Sequence, residues 1–478
     1  MRRYDVAIIG AGIGGLVSGA LLSQSGRSVA VFEKGGCPGG LCSSFKNGGY
    51  VFDAAIDSIG GLVDGEFLRV LFEKLGVLDE LDLIPLDPVR RLFLPDFCVD
   101  IQPDIKLHKE HLEILFPCEK DNIEKIFTVM EAVYTQSMSL PFGRKEEISS
   151  DFMNWLGMSF SDILDKYIND HKLKAVLSSY STFLGLPANR VSAIFIANTL
   201  MHYVKGGAYR VKGGMRHLSE ALVNVIKKNG GDVFLNEEVK KLTVEHARAA
   251  GIITSKERDI PATHVIVASD LKTMVNHLAP KRSIDEAVSS HVNKMKESSS
   301  FIIAYIGTDL DINKLELVSS MGFFSSYDIE SMLNMNSDIS YGVSIPSMID
   351  DSVAPEGCHN IVFHYPTCKK TVLNKEKIVD KIINSVEKII PGLSQHIRLL
   401  RVADASTIHR YTGNSFGAAY GWEQKIGLYS DMQFLKKIMK NLHVAGHWAG
   451  LGGGVMPAAI SAVKVAESII GKKLFNGE

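Results

Sequence analysis

The chain is poor in cysteine and carries no surplus of either charge. Lysine and arginine together number 52 and aspartate and glutamate 54 among the 478 residues, which leaves a formal net charge of −2. Nucleic-acid-binding proteins normally carry a basic excess, so we expect no nucleic-acid partner. The cysteines show neither Cys-x-x-Cys spacing nor a dense disulfide pattern, which is typical of reduced thiols in a cytosolic protein. They are Cys37, Cys42, Cys98, Cys118, Cys358 and Cys368.

Apolar runs long enough to cross a bilayer are also missing, since a transmembrane helix needs about 20 predominantly apolar residues. The run from Val6 to Leu22 is short, rich in glycine and followed by no small-residue cleavage site, which argues against a secretory signal. Val191 to Val204, the most apolar helical stretch of the middle region, has only 14 residues. Either a core helix or a wall of a lipid-binding tunnel would explain it. We therefore expect a cytoplasmic protein, with peripheral contact to a membrane as an open alternative.

The sequence contains no cluster that is typical of a metal site or a hydrolytic centre. Histidine, cysteine and carboxylate residues do not recur at metal-ligand spacing, so we expect no bound metal. No Ser/His/Asp set and no paired carboxylates demand a nucleophilic or acid–base mechanism.

What the sequence does contain is a complete dinucleotide-binding turn at its start. An apolar strand runs into Gly10, Gly12 and Gly15, and an apolar helix from Leu16 to Leu22 follows at once. Gly10 permits the tight turn, Gly12 lets a pyrophosphate approach the backbone, and Gly15 lets the helix lie close to the sheet. Glu33 closes the second strand, about 20 residues further on, where an acidic side chain accepts hydrogen bonds from a ribose hydroxyl.

The strand–helix–strand pattern of the N-terminus returns twice along the chain. Mostly helical residues and then a mixed region separate the three occurrences. We therefore predict an α/β protein with a discontinuous Rossmann-type lobe, and an α+β substrate-binding lobe formed by two insertions. The predicted nucleotide-binding lobe comprises 1–84, 205–284 and 401–478, and the predicted substrate-binding lobe comprises 85–204 and 285–400.

Two further glycine-rich loops are expected to converge on the N-terminal turn. They are Gly206–Met215 and Gly446–Gly454. Neither is a second dinucleotide turn, because neither has the Gly-x-Gly-x-x-Gly order with an acidic residue downstream. One strong nucleotide site in a discontinuous lobe favours a tightly held flavin over a nicotinamide.

Six blocks spread along the chain give it a resemblance to a known superfamily. They are Gly10–Gly15 with Glu33; Pro38–Gly40 with Phe45; Gly49–Asp53; Lys212–Met215; Tyr411–Asn414 with Gly417–Gly421; and Val444–Gly446 with Gly452–Pro457. In these blocks the whole chain resembles the FAD-dependent phytoene desaturases, carotenoid isomerases and retinol saturases, a branch beside the flavin amine oxidases.

The resemblance implies FAD as the cofactor and a set of residues around it. For the pyrophosphate and the adenosine ribose these are Gly10, Gly12, Ile13, Gly14, Gly15 and Glu33. Along the ribityl chain they are Lys34, Gly39, Gly40 and Leu41. The backbone of Val239 would contact the adenine. Those beside the flavin ring are Gly446, Val455 and Met456, with the positive end of the last helix directed at the ring.

The resemblance also implies hydride transfer between the flavin and a C–C bond of an apolar, isoprenoid or carotenoid-like lipid, by a desaturase, saturase or isomerase. The electron partner, whether oxygen, a quinone or a reduced carrier, stays open. One alternative is a flavin amine oxidase that uses oxygen, which should show a lysine near flavin N5 and an aromatic pair; Lys212 and Tyr420 do not decide this. A non-catalytic flavin-binding protein is the other alternative.

Four residues are weak catalytic candidates, each with an ordinary structural explanation beside the functional one. Asp57 follows the Gly49–Asp53 block and is either a polar group in the substrate cavity or a loop carboxylate. His409 would line the cavity or lie on a surface loop. Tyr420, with Trp422, would flank the flavin or simply pack. His447 stands where relatives have an acid or glutamine, and would tune the flavin charge or cap a loop.

Overall fold

The computed structural model describes residues 2–139, 148–333, 340–367 and 374–475. Cys368 lies outside the described residues. No helix within them is both long and apolar enough to cross a membrane.

The strands are mostly short and fall into two large sheets and two small ones. Those of the first half of the chain are β1 (Tyr4–Ile9), β2 (Val29–Phe32), β3 (Ser44–Asn47), β4 (Tyr50–Asp53), β5 (Ile59–Gly60), β6 (Leu83–Pro85), β7 (Arg90–Phe93), β8 (Cys98–Ile101), β9 (Ala208–Val211) and β10 (Asp232–Phe234). Those of the second half are β11 (Val239–Glu245), β12 (Arg248–Thr254), β13 (Asp259–Val267), β14 (Ser300–Thr308), β15 (Ser320–Phe324), β16 (Ser340–Ser344), β17 (His359–Thr367), β18 (Ile397–Ala403) and β19 (Leu442–Val444).

The helices pack around these sheets. The first eight are α1 (Ile13–Gln24), α2 (Phe67–Leu75), α3 (Ile105–Leu115), α4 (Lys120–Ser139), α5 (Ser150–Leu156), α6 (Phe160–Tyr167), α7 (His171–Ser178) and α8 (Ala193–Val204). The others are α9 (Arg216–Lys228), α10 (Leu271–Thr273), α11 (Glu286–Lys294), α12 (Ile329–Leu333), α13 (Lys375–Val386), α14 (Ala405–Thr412), α15 (Leu428–Asp431) and α16 (Val455–Ile470).

The first large sheet has the order β10-β2-β1-β13-β12-β11, with β19 also paired to β13. β10, β2, β1, β13 and β19 run parallel; β12 pairs antiparallel with β13, and β11 pairs antiparallel with β12. Helix α1 lies against this sheet, with α9 and α16 as neighbours. Because α1 contacts other elements on all sides, it is apolar around nearly its whole circumference. The predicted Rossmann-type α/β fold is confirmed.

The second large sheet has the order β18-β14-β17-β16-β15-β7-β8 and is mostly antiparallel, with β7 parallel to β15. Its strands come from the two predicted insertions, except that β18 extends to Ala403, just past the predicted boundary at residue 400. Helix α13 covers one face of this sheet and buries an apolar layer there. The lobe boundaries themselves stay a prediction.

The stretch between β8 and β9 is mostly helical, as its periodicity predicts. Helices α3 to α8 enclose an apolar core around Phe127, Trp155 and Phe160, all nearly inaccessible to solvent. Helix α8, the apolar stretch singled out in the sequence, has 12 residues and begins after Ser192. The last helix begins at Val455 rather than at Pro457, so that the proline lies within its first turn, where its missing N–H costs nothing.

A buried ion pair connects segments that are far apart in the sequence. The guanidinium Nη2 of Arg210 lies 2.9 Å from Oδ2 of Asp53, and both side chains are at most 3% exposed. This is a close charge contact without aligned hydrogen-bond geometry. The other oxygen of Asp53 accepts a hydrogen bond from the backbone N–H of Met215 at 2.8 Å, and Asp350 accepts one from Gly213 at the same distance. The Gly49–Asp53 and Lys212–Met215 blocks are therefore joined through their charged and backbone groups.

Candidate functional site

The carboxyl ends of four parallel strands meet at one edge of the first sheet. β1 is followed there by Gly10, β2 by Glu33, β13 by Ala268 and β19 by Ala445. Ligands of open α/β sheets bind at this edge, beyond the carboxyl ends of the strands. We call the edge formed by Gly10–Gly15, Glu33 and Gly446 the nucleotide edge.

The glycines of the N-terminal turn have distinct reasons to be glycine. Gly10 has φ of +100°, and a Cβ there would lie 2.8 Å from the carbonyl oxygen of Ala268. A Cβ on Gly15 would lie 2.1 Å from the carbonyl oxygen of Gly10, so the helix lies directly on the turn. Gly12 differs, because a Cβ there would meet no atom within 4 Å. The open space is on the side where a ligand can approach the backbone.

The carboxylate of Glu33 lies directly beside this turn. Its Oε2 accepts a hydrogen bond from the N–H of Ala11 at 2.9 Å, and its Oε1 accepts one from Gly35 at 2.8 Å. A carboxylate oxygen accepts more than one hydrogen bond, so both oxygens keep capacity for a ribose hydroxyl.

The loop Gly39–Leu41 packs on the same turn. The N–H of Gly39 donates to the carbonyl of Ala11 at 2.7 Å, and Leu41 lines the large cavity described below. Lys34 points elsewhere, because its Nζ donates to the carbonyl of Arg410 at 3.0 Å. Burial lowers the pKa of this amine below its ordinary value.

The remaining predicted cofactor residues lie on either side of the turn. Val239 is buried at the start of β11, close to the second strand because the N–H of Glu237 donates to the carbonyl of Glu33 at 2.8 Å. Gly446 lies against α1, and a Cβ on Gly14 would be only 2.4 Å from its nitrogen. Val455 and Met456 begin α16 and line the large cavity.

These groups fit a dinucleotide. The first-turn N–H groups of α1 lack partners within the helix and carry the positive end of its dipole, which suits a pyrophosphate. Gly12 leaves the approach open, and Glu33 supplies the acceptor for a ribose. Leu41 and Met456, which are also predicted to contact the cofactor, line the large cavity.

A cavity of about 590 Å³ begins at Leu41 and Met456 and extends into the space between the second sheet and the helical stretch. Helix α8 forms one wall and presents one face to the cavity: Ile194, Phe195, Asn198, Thr199, His202 and Tyr203. Its opposite face, which includes Ile196, Leu200 and Met201, is buried in the core. Helix α8 is thus both a core helix and a cavity wall.

The second sheet forms the facing wall, and its two faces differ in composition. The residues that alternate toward α13 are large and apolar, for example Met321, Val343 and Phe363. Several of those that alternate toward the cavity are small or polar: Ser320, Gly322, Ser340, Gly342, Ser344 and His364. Side chains of successive strand residues point to opposite faces, so one sequence builds both surfaces.

Charged and polar side chains collect at one place in this wall. Asp57 accepts a hydrogen bond from the hydroxyl of Ser344. Arg90 projects from β7, where its Nη2 donates to the carbonyl of Met321 at 3.0 Å and its guanidinium lies 4.8 Å from the ring centre of Phe183. We call Asp57, Arg90, Ser344 and His364 the polar end of the cavity; all four line it.

The polar end has a defined charge state at neutral pH. Burial opposes ionisation of the Asp57 carboxyl, but His364, the hydroxyl of Ser344 and the nearby arginines outweigh burial and lower its pKa below the ordinary value. Burial also lowers the pKa of His364, so this imidazole is neutral at pH 7. Burial raises the pKa of the neighbouring Tyr203 phenol to about 12. The cavity therefore presents a carboxylate, a guanidinium and neutral ring groups.

The four catalytic candidates do not come together. Asp57 and Tyr420 both line the cavity, whereas His409 and His447 are not among the described residues that line it. His409 is exposed on α14, where its Nδ1 pairs with the carbonyl of Asn414 at 2.8 Å, so the expectation that it lines the cavity is wrong. It lies on a helix and not on a loop.

His447 and Trp422 need a further correction. Burial lowers the pKa of His447 to about 4, so a neutral imidazole at pH 7 cannot tune a flavin through its own positive charge. Trp422 does not flank the cavity but is buried, with its Nε1 donating to the carbonyl of Trp448 at 2.9 Å. Ordinary aromatic packing is the correct interpretation for Trp422.

The sequence alone does not identify Arg90, Ser344 and His364 as cavity residues. Arg90 stands beside Arg91, which pairs with Asp100 through Nε at a distance of 2.7 Å, and the local pattern does not show which arginine faces inward. Only the pairing of β7 with β15 places one of them in the cavity wall.

Comparison with known proteins identifies the family to which this chain is similar. The family described as flavin-containing amine oxidoreductase matches residues 13–470. The chain is 24% identical to a 4,4'-diapophytoene desaturase (4,4'-diapolycopene-forming) of Methylomonas sp, over 98% of this chain and 95% of that protein. It is 26% identical to the chloroplastic prolycopene isomerase 1 of an Oncidium hybrid cultivar, over 98% and 84% respectively. A crystal structure of an oxidoreductase from Methanosarcina mazei has a TM-score of 0.68 at 20% identity, covering 97% of this chain and 99% of that one.

Proposed function

Because the chain belongs to the flavin-containing amine oxidoreductase family and is an FAD-dependent oxidoreductase, we propose that it transfers hydride between the flavin and a C–C bond of an apolar, isoprenoid substrate. The relatives named above are a carotenoid desaturase and a carotenoid isomerase. Whether this chain desaturates, saturates or isomerises its substrate is part of what the experiment below measures.

The observation that carries the proposal is the cavity that begins at Leu41 and Met456, two of the residues predicted to contact FAD. Its walls include Phe195, Ile303 and Phe324, and its volume of about 590 Å³ suits a large apolar molecule. Burial of an apolar chain in such a space is favourable by roughly 25 cal/mol per Å² removed from water.

For the cofactor we propose the residues that line the nucleotide edge. The pyrophosphate lies against Gly12–Gly15, the adenosine ribose against Glu33, and the adenine against the backbone of Val239. The ribityl chain follows Gly39–Leu41, and the flavin ring lies beside Gly446, Val455 and Met456. Lys34 is the least supported of these contacts, since its amine is held by Arg410.

Bound FAD supplies the hydride acceptor or donor. The chain's own residues orient an apolar substrate along α8 and exclude water from it. Tyr420 lines the cavity beside the glycines that precede α16, because a Cβ on Gly453 would lie 2.6 Å from its Cβ. For a C–C bond no strong general base is required, which agrees with the separation of His409 and His447 from the cavity.

An amine oxidase would be expected to have a lysine near the flavin and an aromatic pair. Lys212 borders a separate pocket, and Lys425 is the one lysine among the described residues that line the large cavity. Lys425 pairs with Asp431 at 3.0 Å. Trp422 cannot complete a pair with Tyr420 because it is buried away from the cavity. These observations favour the isoprenoid substrate over an amine.

We propose peripheral membrane contact as the route by which an apolar substrate enters. Ile148, Met153 and Tyr429 line the cavity and are also exposed, so they lie at its mouth. Co-flotation of the protein with liposomes should decrease when Met153 is replaced by aspartate. Complete recovery of the wild type in the soluble fraction, with no flotation, would contradict this contact.

The reaction is tested with the FAD-loaded protein under anaerobic conditions. Oxidised and photoreduced forms are mixed separately with 4,4'-diapophytoene, with prolycopene and with a panel of primary amines, while flavin absorbance is followed and products are identified by mass spectrometry. We expect a polyene to change the flavin oxidation state or to isomerise on the reduced form. Reduction by an amine followed by fast reoxidation with oxygen would favour the amine oxidase. The absence of any substrate-dependent change would favour a non-catalytic flavin-binding protein.

Reoxidation by oxygen and by a quinone, compared in the same instrument, identifies the electron partner.

A further inference from the structure

Three side chains in the cavity wall form a continuous stack between the two facing walls. Arg90 comes from β7 of the second sheet, and its guanidinium carbon lies 4.8 Å from the ring centre of Phe183. The ring of Phe183 in turn lies 5.6 Å, centre to centre, from the ring of Tyr203 on α8. All three residues line the cavity. Because the second sheet and α8 are opposite walls, a stack that joins them closes the cavity at this point. We call these three residues the end stack.

The second sheet holds the first member of the end stack in place. The Nη2 of Arg90 donates to the carbonyl of Met321 at 3.0 Å. A Cβ on Gly342 would lie 2.4 Å from the same nitrogen, so the guanidinium occupies space that a side chain on β16 would need. A guanidinium over an aromatic face is attracted by the electrons of the ring. The ring of Phe183 is therefore held between Arg90 and Tyr203.

The opposite end of α8 lies beside the loop that leads to the predicted flavin residues. A Cβ on Gly452, three residues before Val455, would lie 3.3 Å from Cε1 of Phe195. Phe195 and Tyr203 are both on the cavity face of α8, eight residues apart. At 1.5 Å of rise per residue, this separation is about 12 Å. The end stack therefore stands well along the helix from the flavin end of the cavity.

The mouth of the cavity lies at the same end of α8 as the flavin. Val191, just before the helix, forms a β-bridge with Lys425, and the mouth residue Tyr429 follows four residues later. The N–H of Ser192 donates to the carbonyl of Gln424 at 3.1 Å, which fixes this segment against the start of the helix. An apolar chain that enters here passes the flavin end of the cavity first and reaches the end stack last.

We propose that the end stack is the stop for the leading end of the substrate chain, so that Phe183 sets which C–C bond lies at the flavin. An isoprenoid chain repeats the same unit, and an apolar wall alone does not distinguish one repeat from the next. A stop at a fixed distance from the flavin distinguishes them, because the distance is counted from the chain end. This inference rests on the proposed function, since it assumes that the cavity binds an apolar chain, and it adds the register in which that chain lies.

The first test moves the stop and locates the bond that reacts. Phe183→Ala removes the ring and lets the chain end advance, so the reacting bond should lie about one isoprene unit farther from that end. Phe183→Leu shortens the side chain less and should give a mixture of the two positions, which keeps the test decisive if Phe183→Ala does not fold. Each FAD-loaded protein is given the polyene that the wild type converts, and the changed bond is located by oxidative cleavage of the product and mass spectrometry.

Binding gives a second readout that does not depend on turnover. Dissociation constants are measured from flavin absorbance for isoprenoid hydrocarbons that grow by one unit at a time. A chain that protrudes from the mouth of the wild type should bury one more unit in Phe183→Ala, and its binding should tighten by at least about tenfold. A short chain that already lies wholly inside the cavity should gain nothing.

Phe152 provides a matched control at the other end of the cavity. It lines the cavity next to Met153, which lies at the mouth. Phe152→Ala removes a ring of the same size but leaves the end stack intact. We expect the reacting bond and the chain length at which affinity stops rising to be those of the wild type.

The outcomes separate this inference from the proposed function. The same reacting bond in the wild type and both Phe183 variants, or no gain in affinity for long chains, would overturn the end stop and leave the proposed function standing. A shift of equal size in Phe152→Ala would overturn it as well, because any widening of the cavity would then suffice. No flavin response of the wild type to any polyene would overturn the proposed function, and the end stop with it.

Discussion

The nucleotide edge and the second-sheet wall of the cavity are built from different chemistry. The nucleotide edge uses backbone groups: glycines that allow close approach, helix N–H groups and a single carboxylate at Glu33. The wall uses side chains, which reach one surface from β7, β14, β15, β16 and β17. Backbone recognition suits a ligand that is the same throughout a family, whereas a side-chain surface can change its specificity one residue at a time.

The largest effect is expected at the buried ion pair of Arg210, which lies outside both surfaces. Arg210→Met leaves the carboxylates of Asp53 and Asp350 buried without their counter-ion, and we expect the free energy of unfolding to fall by about 3–5 kcal/mol. Chemical denaturation measures this. Arg2→Met removes an exposed pair with Asp232 and should cost less than about 1 kcal/mol. Equal losses of unfolding free energy in the two variants would show that the buried ion pair stabilises the fold no more than an exposed one.

A change at the nucleotide edge should remove the cofactor and leave the fold intact. Gly12→Val adds a Cβ that no protein atom approaches within 4 Å, and the side chain extends into the space predicted for the pyrophosphate. The backbone there, with φ of −73°, accepts any residue. We expect FAD affinity to fall about 100-fold, which is about 2.7 kcal/mol. Gly157→Val, away from the site, should retain FAD. A Gly12→Val protein that purifies with full FAD content would refute the predicted pyrophosphate position.

Substitutions of neighbouring residues on opposite faces of the second sheet should affect different properties, stability on one face and ligand binding on the other. Val343 is buried toward α13, and Val343→Ser should cost about 2–3 kcal/mol of unfolding free energy, because it places a hydroxyl in an apolar layer. Ser344→Ala should cost under about 1.5 kcal/mol but weaken ligand binding, because it removes the hydrogen bond to Asp57. The reverse pattern in denaturation and ligand titration would mean that the two faces have been assigned wrongly.

Acid should destabilise the folded protein through its buried histidines. Burial lowers the pKa of His108 and His202 to about 3. It lowers the pKa of His443 and His447 to about 4. Below the ordinary value of 6.5 the unfolded chain binds protons that the folded one does not, so stability falls as pH drops from there toward 4.

Each such histidine lowers the free energy of unfolding by up to about 1.4 kcal/mol per pH unit of acidification. The melting temperature should therefore fall steadily below pH 6.5. His447→Gln should reduce this slope. A melting temperature that stays constant between pH 6.5 and 4.5 would contradict the buried, neutral state of these imidazoles.

Much of the nucleotide edge could be predicted from sequence because its parts are local. Gly10, Gly15 and Glu33 follow their strands within a few residues, and the strand pattern itself shows where the edge lies. The final helix and the return of the strands near Val265 and Val444 could be predicted for the same reason. Whether each residue contacts FAD stays a prediction.

The cavity wall could not be predicted because it depends on strand pairing. Arg90 and Arg91 are indistinguishable until β7 is placed beside β15, and His364 looks like any strand histidine. The sequence leaves open whether His409, just before a glycine block, lines the cavity or lies on the surface, and helix α14 turns it to solvent. Proximity in sequence to a glycine loop is thus a poor guide to side-chain direction.

Filling the large cavity with a bulky side chain shows whether the substrate binds there beside FAD. Thr199→Trp places an indole on the cavity face of α8, and Thr128→Trp places one on the exposed face of α4 as a control. The measurement is the change in flavin absorbance when a polyene is added under anaerobic conditions to each FAD-loaded protein. We predict that Thr199→Trp retains FAD and loses the polyene response, while the control responds as the wild type does. A Thr199→Trp protein that responds like the wild type would show that the substrate binds elsewhere.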